Sequence, residues 1–381
     1  MYLNETGRPV IGNGFVHILA FGILTGSALN RKKSSTMRKD ELYTPDGWID
    51  AARLLDAPEP FVIALGGRGI GKTYGILKEL YQRGTPFIYM RRTQTQLDAV
   101  AVPALNPFNQ ISADLNEPIF SAKVSKHTVG FYKGSRNEAG DIVQDAEPFG
   151  IGIALSTFAA IRSLSAEKYN VLFFDEIIPE RHEKPIKEEG LAFANVLESL
   201  NRNRELSGSR PLKIILASNS NTLNSKLLET LGVLNTVDKM NRSNKYYESV
   251  RGLVAIYRYI DSPISERKRG SVLYQVIQNR DFQGMSIKNE MAASDYENVA
   301  TRPIHEYRPL CSYDGVTVMR HKSKNEYYVV EGEKAADKYD ALPLSRKAFN
   351  RKYYYVWGAI MDRRVFYQTA TVKIKIEGAF K

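Results

Sequence analysis

The chain has 381 residues, which is longer than one typical core and predicts two domains. Its 53 Lys and Arg residues outnumber its 42 Asp and Glu residues, and the formal net charge of +11 favours a polyanionic partner, nucleic acid or an acidic membrane, over charge that serves solubility alone. Cys311 is the only cysteine, which excludes an internal disulfide, and five histidines beside one cysteine argue against a zinc site. We therefore expect a cytosolic protein.

Residues 1–36 are predicted to be an N-terminal extension outside the first domain. Their apolar run, residues 15–24, is too short to cross a bilayer comfortably, and only Arg8 precedes it, so it makes a weak secretory signal. Met37 opens a stretch typical of the start of a domain, which favours a dispensable extension or an upstream start codon. A membrane anchor is the alternative, but we expect no membrane partner.

Residues 66–73 form a complete G-x-x-x-x-G-K-T motif, the pattern of a Walker A phosphate-binding loop. The apolar residues 61–65 precede the motif and the helix-compatible residues 74–81 follow it, which is the strand, turn and helix that such a loop requires. Lys72 would reach the β- and γ-phosphates, and the Thr73 hydroxyl would hold Mg²⁺. The expected nucleotide-binding residues are Gly66, Gly67, Arg68, Gly69, Ile70, Gly71, Lys72 and Thr73. The motif predicts ATP and Mg²⁺ as cofactors; a glycine-rich turn that matches by chance is the alternative.

Five apolar runs predict strands that are buried on both faces of a largely parallel sheet. They are residues 61–65, 86–90, 151–155, 171–174 and 212–217. Residues 106–147 read as a hairpin inserted into this sheet. Residues 188–204 have helical spacing, with Leu191, Ala194, Val196, Leu197 and Leu200 as expected core contacts. We assign residues 37–222 to an α/β domain of the P-loop type.

The run of residues 171–174 ends in Asp175 and Glu176, the form of a Walker B segment. Asp175 would anchor Mg²⁺ through its water shell, and Glu176 would act as the general base that polarises the attacking water. The adjacent glutamate argues for hydrolysis rather than transfer to a second substrate. A core strand that ends in a surface acid pair is the alternative.

Polar and basic residues end several of these elements. Asn219 or Ser218 follows the next strand, where it could contact the γ-phosphate, or serve only as a helix cap or turn residue. Arg202 or Arg204 could act as an arginine finger, often supplied by a neighbouring subunit, or form a solvated helix end. Arg68, and the pair Arg91 and Arg92 after the second strand, could contact phosphate or a neighbouring subunit.

The pattern changes after residue 222. Residues 223–237 look helical, residues 253–260 read as a strand and residues 262–270 as a charged loop, and we assign residues 223–270 to a linker. Residues 307–313, 316–320 and 326–331 read as a β-meander with Asp314 and Gly315 at its first turn. Residues 271–381 are therefore expected to form a smaller α+β domain.

Residues 345–381 are strongly basic, with nine Lys and Arg residues against Asp362 and Glu377. Aromatic residues are interleaved with these charges. Basic side chains neutralise phosphates and aromatic rings can stack on bases, so this segment favours contact with nucleic acid. The alternative is that the aromatic residues belong to the core and that the charges form a solvated face.

The segments 67–74, 87–92, 173–176, 202–205 and 218–219 resemble, in content and order, the DNA-packaging ATPases of small short-tailed bacteriophages, the phi-29-type motors. The resemblance covers residues 37–222 well. It implies a P-loop ATPase of the additional-strand, catalytic-glutamate class, which works as a homo-oligomeric ring, usually a pentamer. Lys72, Thr73, Asp175 and Glu176 match the family's Walker residues, and Arg202 matches its trans-acting arginine. Two features depart from the pattern: the N-terminal 36 residues, and Gln94, at a position where the resemblance implies a basic residue.

The resemblance further implies a C-terminal domain like a degenerate ribonuclease H-type nuclease, and a possible portal protein and packaging RNA as partners beside double-stranded DNA. The expected function is ATP-driven translocation of double-stranded DNA into a capsid, in the host cytoplasm on the viral prohead. A P-loop switch that regulates a nucleic-acid partner without translocation is the alternative. An active nuclease would need an acidic cluster for divalent metal, and we find none in the meander.

Overall fold

The computed structural model describes residues 37–380 except residues 138–140, 162–163, 165, 181–182, 220–221, 278–283, 285–292 and 333–344. The expected extension, residues 1–36, lies outside this part of the chain.

Two sheets organise the described residues. The strands of the first are β1 Phe61–Gly66, β2 Phe87–Arg91, β3 Ile119–Ser125, β4 Thr128–Arg136, β5 Ile142–Gln144, β6 Gly150–Ala154, β7 Val171–Asp175, β8 Lys213–Ser218, β9 Tyr247–Val250 and β10 Val254–Tyr259. Those of the second are β11 Tyr307–Tyr313, β12 Val316–His321, β13 Tyr327–Glu331 and β14 Val365–Tyr367.

Helices connect and cover the strands. They are α1 Ala51–Asp56, α2 Lys72–Gln82, α3 Gln94–Val100, α4 Asn109–Leu115, α5 Glu189–Asn201, α6 Lys226–Thr230, α7 Leu234–Arg242, α8 Pro263–Arg269, α9 Val272–Val276, α10 Arg346–Lys352, α11 Tyr354–Met361 and α12 Ala370–Phe380. No helix of the described residues is long and apolar enough to cross a membrane.

The centre of the first sheet is parallel, in the order β6-β2-β7-β8-β1-β10. The five predicted strands are all present, and β8 lies between β1 and β7. Their side chains pack into two apolar layers, one on each face of the sheet. Because both faces are buried, the sequence of each strand is a continuous apolar run. The sheet therefore brings the carboxyl ends of β1, β7 and β8 to one edge.

The predicted hairpin insertion is confirmed. β3 and β4 form an antiparallel pair, and β4 adds antiparallel to β6 at one side of the sheet. The helix predicted over residues 188–204 is α5, but its buried stripe is shifted. Phe193, Val196 and Leu200 face the core, whereas Leu191 is 52% exposed and Ala194 is exposed. The predicted stripe was too wide because aliphatic residues on both sides of it were counted as core.

The first sheet continues well beyond residue 222. β10, from the segment expected to be a linker, pairs in parallel with β1, and β9 pairs with β10. The apolar run that became β10 signals a buried strand, but a sequence pattern does not specify which strand is its neighbour. The helix expected over residues 223–237 is divided into α6 and α7 around Gly232, whose φ is +68°.

The expectation of a charged loop at residues 262–270 is wrong, because Pro263–Arg269 forms helix α8. Pro263 occupies the first turn, where its missing N–H is not needed and its fixed φ suits a helix. Ile264 and Ser265 are buried, and the charges that suggested a loop lie mainly on exposed positions.

The second sheet contains the predicted meander, β11 to β13, and β14 adds parallel to β13. Asp314 and Gly315 form its first turn with φ of +48° and +74°, as a type I′ hairpin turn requires. α10, α11 and α12 pack on this sheet. Tyr353 and Tyr367 are buried in the shared core, so part of the aromatic content of residues 345–381 is structural.

Residues just before β11 join the two sheets. The Asp295 carboxylate accepts hydrogen bonds from the Thr222 hydroxyl, at 2.9 and 3.0 Å, and from the Leu223 amide at 2.8 Å. The buried Lys373 of α12 donates to the carbonyl oxygens of Ser294 and Glu297. The loop after β8 is thereby connected, through the residues around Asp295, to a helix of the second sheet.

Candidate nucleotide-binding and hydrolysis site

The glycine-rich loop connects β1, which ends at Gly66, to α2, which begins at Lys72. Gly69 and Gly71 have φ of +64° and +94°, a left-handed conformation that other residues adopt only with strain. Gly71 is the N-cap of α2, so the positive end of that helix faces the loop. The predicted strand, loop and helix are thus realised.

Lys72 is buried at the centre of the loop, with 7% of its surface exposed. Its ammonium donates to the carbonyl oxygens of Gly66 and Gly67, at 2.9 and 2.6 Å, and to Asn219 Oδ1 at 3.1 Å. Burial lowers the pKa of Lys72 to about 7 against the opposing effect of Asp175 and Glu176. The ammonium is therefore held by neutral oxygens in a position where phosphate charge would stabilise it.

The Thr73 hydroxyl donates to Asp175 Oδ2 over 2.9 Å, and the Tyr89 hydroxyl donates to the same oxygen over 3.1 Å. Asp175 ends β7 and is buried, and desolvation raises the pKa of its carboxyl although Arg91 lowers it. The hydroxyl and the carboxylate are oxygen donors of the kind that Mg²⁺ takes from protein when phosphates and water complete its shell. Thr73 and Asp175 therefore fit the predicted metal position.

Glu176 follows β7 in a left-handed conformation, with φ of +60°. Arg91, at the end of the neighbouring strand β2, donates through Nη2 to Glu176 Oε2 at 2.6 Å and through Nη1 to Asp175 Oδ2 at 3.1 Å. One guanidinium thus holds both acids. From the sequence, Arg91 is expected only to contact phosphate or a neighbouring subunit, because the sequence does not reveal that β2 pairs with β7.

A cleft of about 410 Å³ opens where these residues meet. Its walls include residues that the sequence singles out, namely Arg68, Gly69, Gly71, Lys72, Thr73, Asp175, Glu176, Ser218 and Asn219, and also Tyr74 and Glu180. Ser218 Oγ accepts from the amide of Ile178, so this hydroxyl braces the backbone after the Walker B pair. Arg68 forms an ion pair with Glu180 across the cleft mouth.

Lys268 of α8 is a further contact that sequence reasoning missed. Its Nζ donates to the carbonyl oxygens of Arg68 and Gly69 in the loop, at 2.6 and 2.7 Å. The basic residues 267–269 were visible in the sequence. A charged loop was expected there, and that expectation does not reveal that helix α8 directs Lys268 toward the phosphate-binding loop.

Arg202 and Arg204 do not line the cleft. They follow α5, whose end is tied to the start of β8 by a hydrogen bond from the Leu212 amide to Asn201 Oδ1. Arg204 donates to the carbonyl oxygens of Ala166 and Tyr169, just before β7 begins. Both arginines therefore lie at the amino edge of the parallel strands, opposite the carboxyl edge that carries the cleft.

Arg92 does not contact the cleft either. It is fully buried and pairs with Glu183 at 2.6 Å and with Glu189 at 2.8 Å. Its role in this structure is to join the end of β2 to the start of α5.

The description "Podovirus DNA encapsidation protein (Gp16)" belongs to the family model that matches residues 37–331, which is more than half of the chain. The Phi-28 gp11 DNA packaging motor is 17% identical, with a TM-score of 0.59 over 89% of this chain and 99% of that one. The bacteriophage Phi-29 genome packaging motor assembly is 15% identical, with a TM-score of 0.59 over 88% and 100%. No curated protein matches the chain. The chain therefore belongs to the podovirus DNA encapsidation protein (Gp16) family.

Proposed function

We propose that the cleft binds ATP with Mg²⁺ and hydrolyses it, and that this hydrolysis drives double-stranded DNA into the capsid. The observation that carries the proposal is the convergence of Lys72, Thr73, Asp175 and Glu176 on one cleft. Thr73 donates to Asp175, and Arg91 donates to both Asp175 and Glu176. Each of the four has the chemistry that a hydrolytic P-loop site needs at that position.

In the proposed reaction Lys72 leaves the loop carbonyls for the β- and γ-phosphates, and the loop amides bind the phosphate oxygens. Thr73 and Asp175 would hold Mg²⁺, and the bound ion would supply neutralisation of phosphate charge. Glu176 accepts a proton from the attacking water, and it must first part from Arg91, because an ion-paired carboxylate is a poor base. Asn219, which accepts a hydrogen bond from Lys72 in this structure, is released when Lys72 turns to phosphate.

We further propose that the subunits form a ring, a pentamer as the family resemblance implies, in which Arg202 acts on the site of a neighbouring subunit. The distance between Arg202 and the cleft of its own subunit, at opposite edges of the sheet, supports an action in trans. The position of β8 between β1 and β7 supports the additional-strand, catalytic-glutamate class. Portal protein and a packaging RNA remain candidate partners in this proposal, as does action at the prohead in the host cytoplasm.

The smaller unit around the second sheet is proposed to bind nucleic acid without cutting it, as a degenerate ribonuclease H-type domain. Two acids of its meander support this assignment. The carboxylate of Glu331 accepts a hydrogen bond from the side-chain amide of Asn235 in α7 at 2.8 Å. Asp314 lies in a hairpin turn, and its backbone carbonyl accepts a hydrogen bond from Lys375. Arg351, Lys352 and Tyr354, on α10 and α11, are exposed and suit contact with a polyanion.

The test is ATP hydrolysis by wild type and Glu176→Gln, with and without double-stranded DNA. Glu176→Gln should retain ATP binding and lose at least about a hundredfold in turnover, because a general base contributes roughly 10²–10⁴. Wild-type hydrolysis should rise with DNA and depend cooperatively on protein concentration.

Glu176→Gln is then mixed into wild type at increasing fractions. A coordinated ring predicts an activity that falls more steeply than the fraction of wild-type subunits, while independent sites predict a linear fall. Glu79→Gln, on the exposed face of α2, is the matched control and should dilute nothing. Hydrolysis that ignores both DNA and subunit mixing would instead fit a switch that gates a partner without translocation.

A further inference from the structure

Lys268 connects α8 to the phosphate-binding loop through two carbonyl oxygens, those of Arg68 and Gly69. The side chain is about half-buried, and this burial lowers its pKa, so the ammonium has exchanged water for the two oxygens. Gly69 is closely approached as well, because a Cβ at this position would lie 2.5 Å from Lys268 Nζ. The contact therefore depends on a glycine in the loop and on a lysine in the helix.

The two carbonyls fix the direction of two amides. In a planar trans peptide the C=O and the N–H point in opposite directions, and the described peptide bonds are trans. The Arg68 carbonyl shares its peptide plane with the Gly69 N–H, and the Gly69 carbonyl shares its plane with the Ile70 N–H. Holding both oxygens toward Lys268 therefore turns both N–H groups to the other side of the loop, as a cradle for anionic oxygens requires.

The loop does not impose this orientation by itself. Gly69 has φ of +64°, and glycine moves between left- and right-handed conformations at little cost. Charge adds to the effect of geometry. After burial, which is the main cause, Lys268 and Arg68 are among the groups that lower the pKa of Lys72, so the ammonium of Lys268 contributes positive potential where the phosphates would lie.

α8 is well placed to respond to the loop. Its first turn is anchored by the buried residues Ile264 and Ser265 directly after β10, and its last turn carries Lys268. The chain then continues through α9 toward the second sheet. A phosphate bound to the amides polarises their peptide groups and strengthens the hydrogen bonds that the carbonyls accept. Thermodynamic linkage makes this effect reciprocal: if bound nucleotide strengthens the Lys268 contact, then the contact raises the affinity for nucleotide by the same factor.

We propose that Lys268 is a positioning residue that holds the Gly69 and Ile70 amides toward the triphosphate and, through the same two hydrogen bonds, couples α8 to nucleotide binding. The proposal rests on the proposed function only in that the loop binds ATP.

The test compares Lys268→Met, Lys268→Gln and Lys268→Arg with Arg267→Met, a loss of charge at the exposed neighbouring position of the same helix. Binding of Mg²⁺ with a fluorescent N-methylanthraniloyl ATP, steady-state hydrolysis and thermal unfolding are measured for each variant. Lys268→Met and Lys268→Gln should raise Kd and KM about tenfold, the effect of losing charge-assisted hydrogen bonds, and change kcat far less. Lys268→Arg should restore most of the affinity, and Arg267→Met should match wild type.

Hydrogen exchange of residues 263–276 supplies a readout that a merely structural role would not move. Saturating nucleotide should slow exchange in wild type and Arg267→Met, and should fail to do so in Lys268→Met although its site is filled. Wild-type affinity in both Lys268→Met and Lys268→Gln, or nucleotide protection of α8 in these variants, would overturn the proposal. Lys72→Ala distinguishes a failure of the proposed nucleotide site from a failure of the proposed role of Lys268. If Lys72→Ala binds nucleotide normally, the loop is not the nucleotide site. If Lys72→Ala loses binding while the Lys268 variants bind normally, only the role of Lys268 is refuted.

Discussion

At the scale of single residues, the environment of Lys72 has a consequence for proton balance. Burial without a direct carboxylate contact lowers its pKa to about 7 in the folded chain, against 10.5 in an unfolded chain. The unfolded chain therefore binds more protons between these values, and this residue's contribution to the free energy of unfolding rises as pH rises from about 7 to 10.5. Phosphate charge acts in the opposite direction, since it favours the protonated ammonium.

We therefore predict that ATP binding takes up protons at pH 8.5, where Lys72 is largely neutral before nucleotide binds and charged once phosphate lies beside it. Calorimetry in two buffers with different ionisation enthalpies measures the number of protons. Lys226→Met, at an exposed position of α6, should leave proton uptake unchanged. Equal binding enthalpies in the two buffers would mean that Lys72 is already charged before nucleotide arrives.

The residues that the sequence could identify are those whose neighbours are close along the chain. Lys72 and Thr73 belong to one continuous motif, and Asp175 and Glu176 are adjacent at the end of one apolar run. Arg91 and Lys268 belong to the same site, but their roles depend on β2 lying beside β7 and on α8 turning toward the loop. Those are facts of tertiary pairing that a local pattern does not encode.

At the scale of elements, the junction between β2 and α5 depends on a buried charge. Arg92 is fully buried between Glu183 and Glu189, and Glu189 begins α5 with 5% of its surface exposed. Removing the arginine leaves a buried carboxylate without its partner. The cost of such a loss greatly exceeds the net contribution of the intact pair, because the remaining charge keeps its desolvation penalty.

Arg92→Ala should lower the free energy of unfolding by about 3–5 kcal/mol, as expected when one partner of a buried ion pair is removed. Urea denaturation measures this change. Arg83→Ala, which breaks surface pairs with Asp56 and Glu79, is the matched control and should cost about 0–1 kcal/mol. Equal effects of the two substitutions would show that the Arg92 cluster relaxes or admits water.

Elements with a strong periodic or continuous apolar pattern were predictable from sequence, and elements defined by their ends were less so. The five central strands are recognisable by their continuous apolar runs, and the meander is recognisable by the turn at Asp314 and Gly315. α8 was missed because its run of charged residues suggested a loop, although Pro263 is compatible with the first turn of a helix. In α5 the aliphatic Leu191 reads as core although it is exposed, since periodicity fixes the spacing of a stripe better than its centre.

At the scale of the whole molecule, Asp295 connects the loop after β8 to the second sheet. Its carboxylate binds Thr222 and Leu223, three and four residues beyond Asn219, while its neighbour Ser294 is held by Lys373 of α12. Movement at the nucleotide cleft therefore has a short covalent and hydrogen-bonded route to the unit proposed to bind nucleic acid.

Asp295→Ala should leave ATP hydrolysis without DNA within about twofold of wild type, and should reduce stimulation by DNA and the length of DNA packaged per ATP. The lost hydrogen bonds should also cost about 1–3 kcal/mol of stability. Packaging into proheads, with ATP consumption recorded in parallel, measures the coupling. Asp362→Ala, an exposed acid of the same unit, is the control. Normal packaging by Asp295→Ala would exclude this route.

The extent of the first sheet could not be read from the sequence. The assignment of residues 223–270 to a linker followed from a change in composition at residue 222, yet β9 and β10 complete the sheet beside β1. Likewise the basic content of residues 345–381 predicts a partner of opposite charge. It does not reveal that Lys373 is buried or that Tyr353 and Tyr367 fill a core, because total charge carries no information about which side chains face inward.

A subunit that carries its nucleotide cleft at one edge of the sheet and Arg202 at the opposite edge has a direction. A contact that joins these two edges in successive copies is heterologous, so it cannot produce a two-fold dimer; it either closes into a ring or continues as a filament. Every subunit of a closed ring then has one neighbour ahead of it and a different one behind. If the subunits hydrolyse ATP one after another around the ring, the polarity of the sheet in each subunit would set the direction of that sequence.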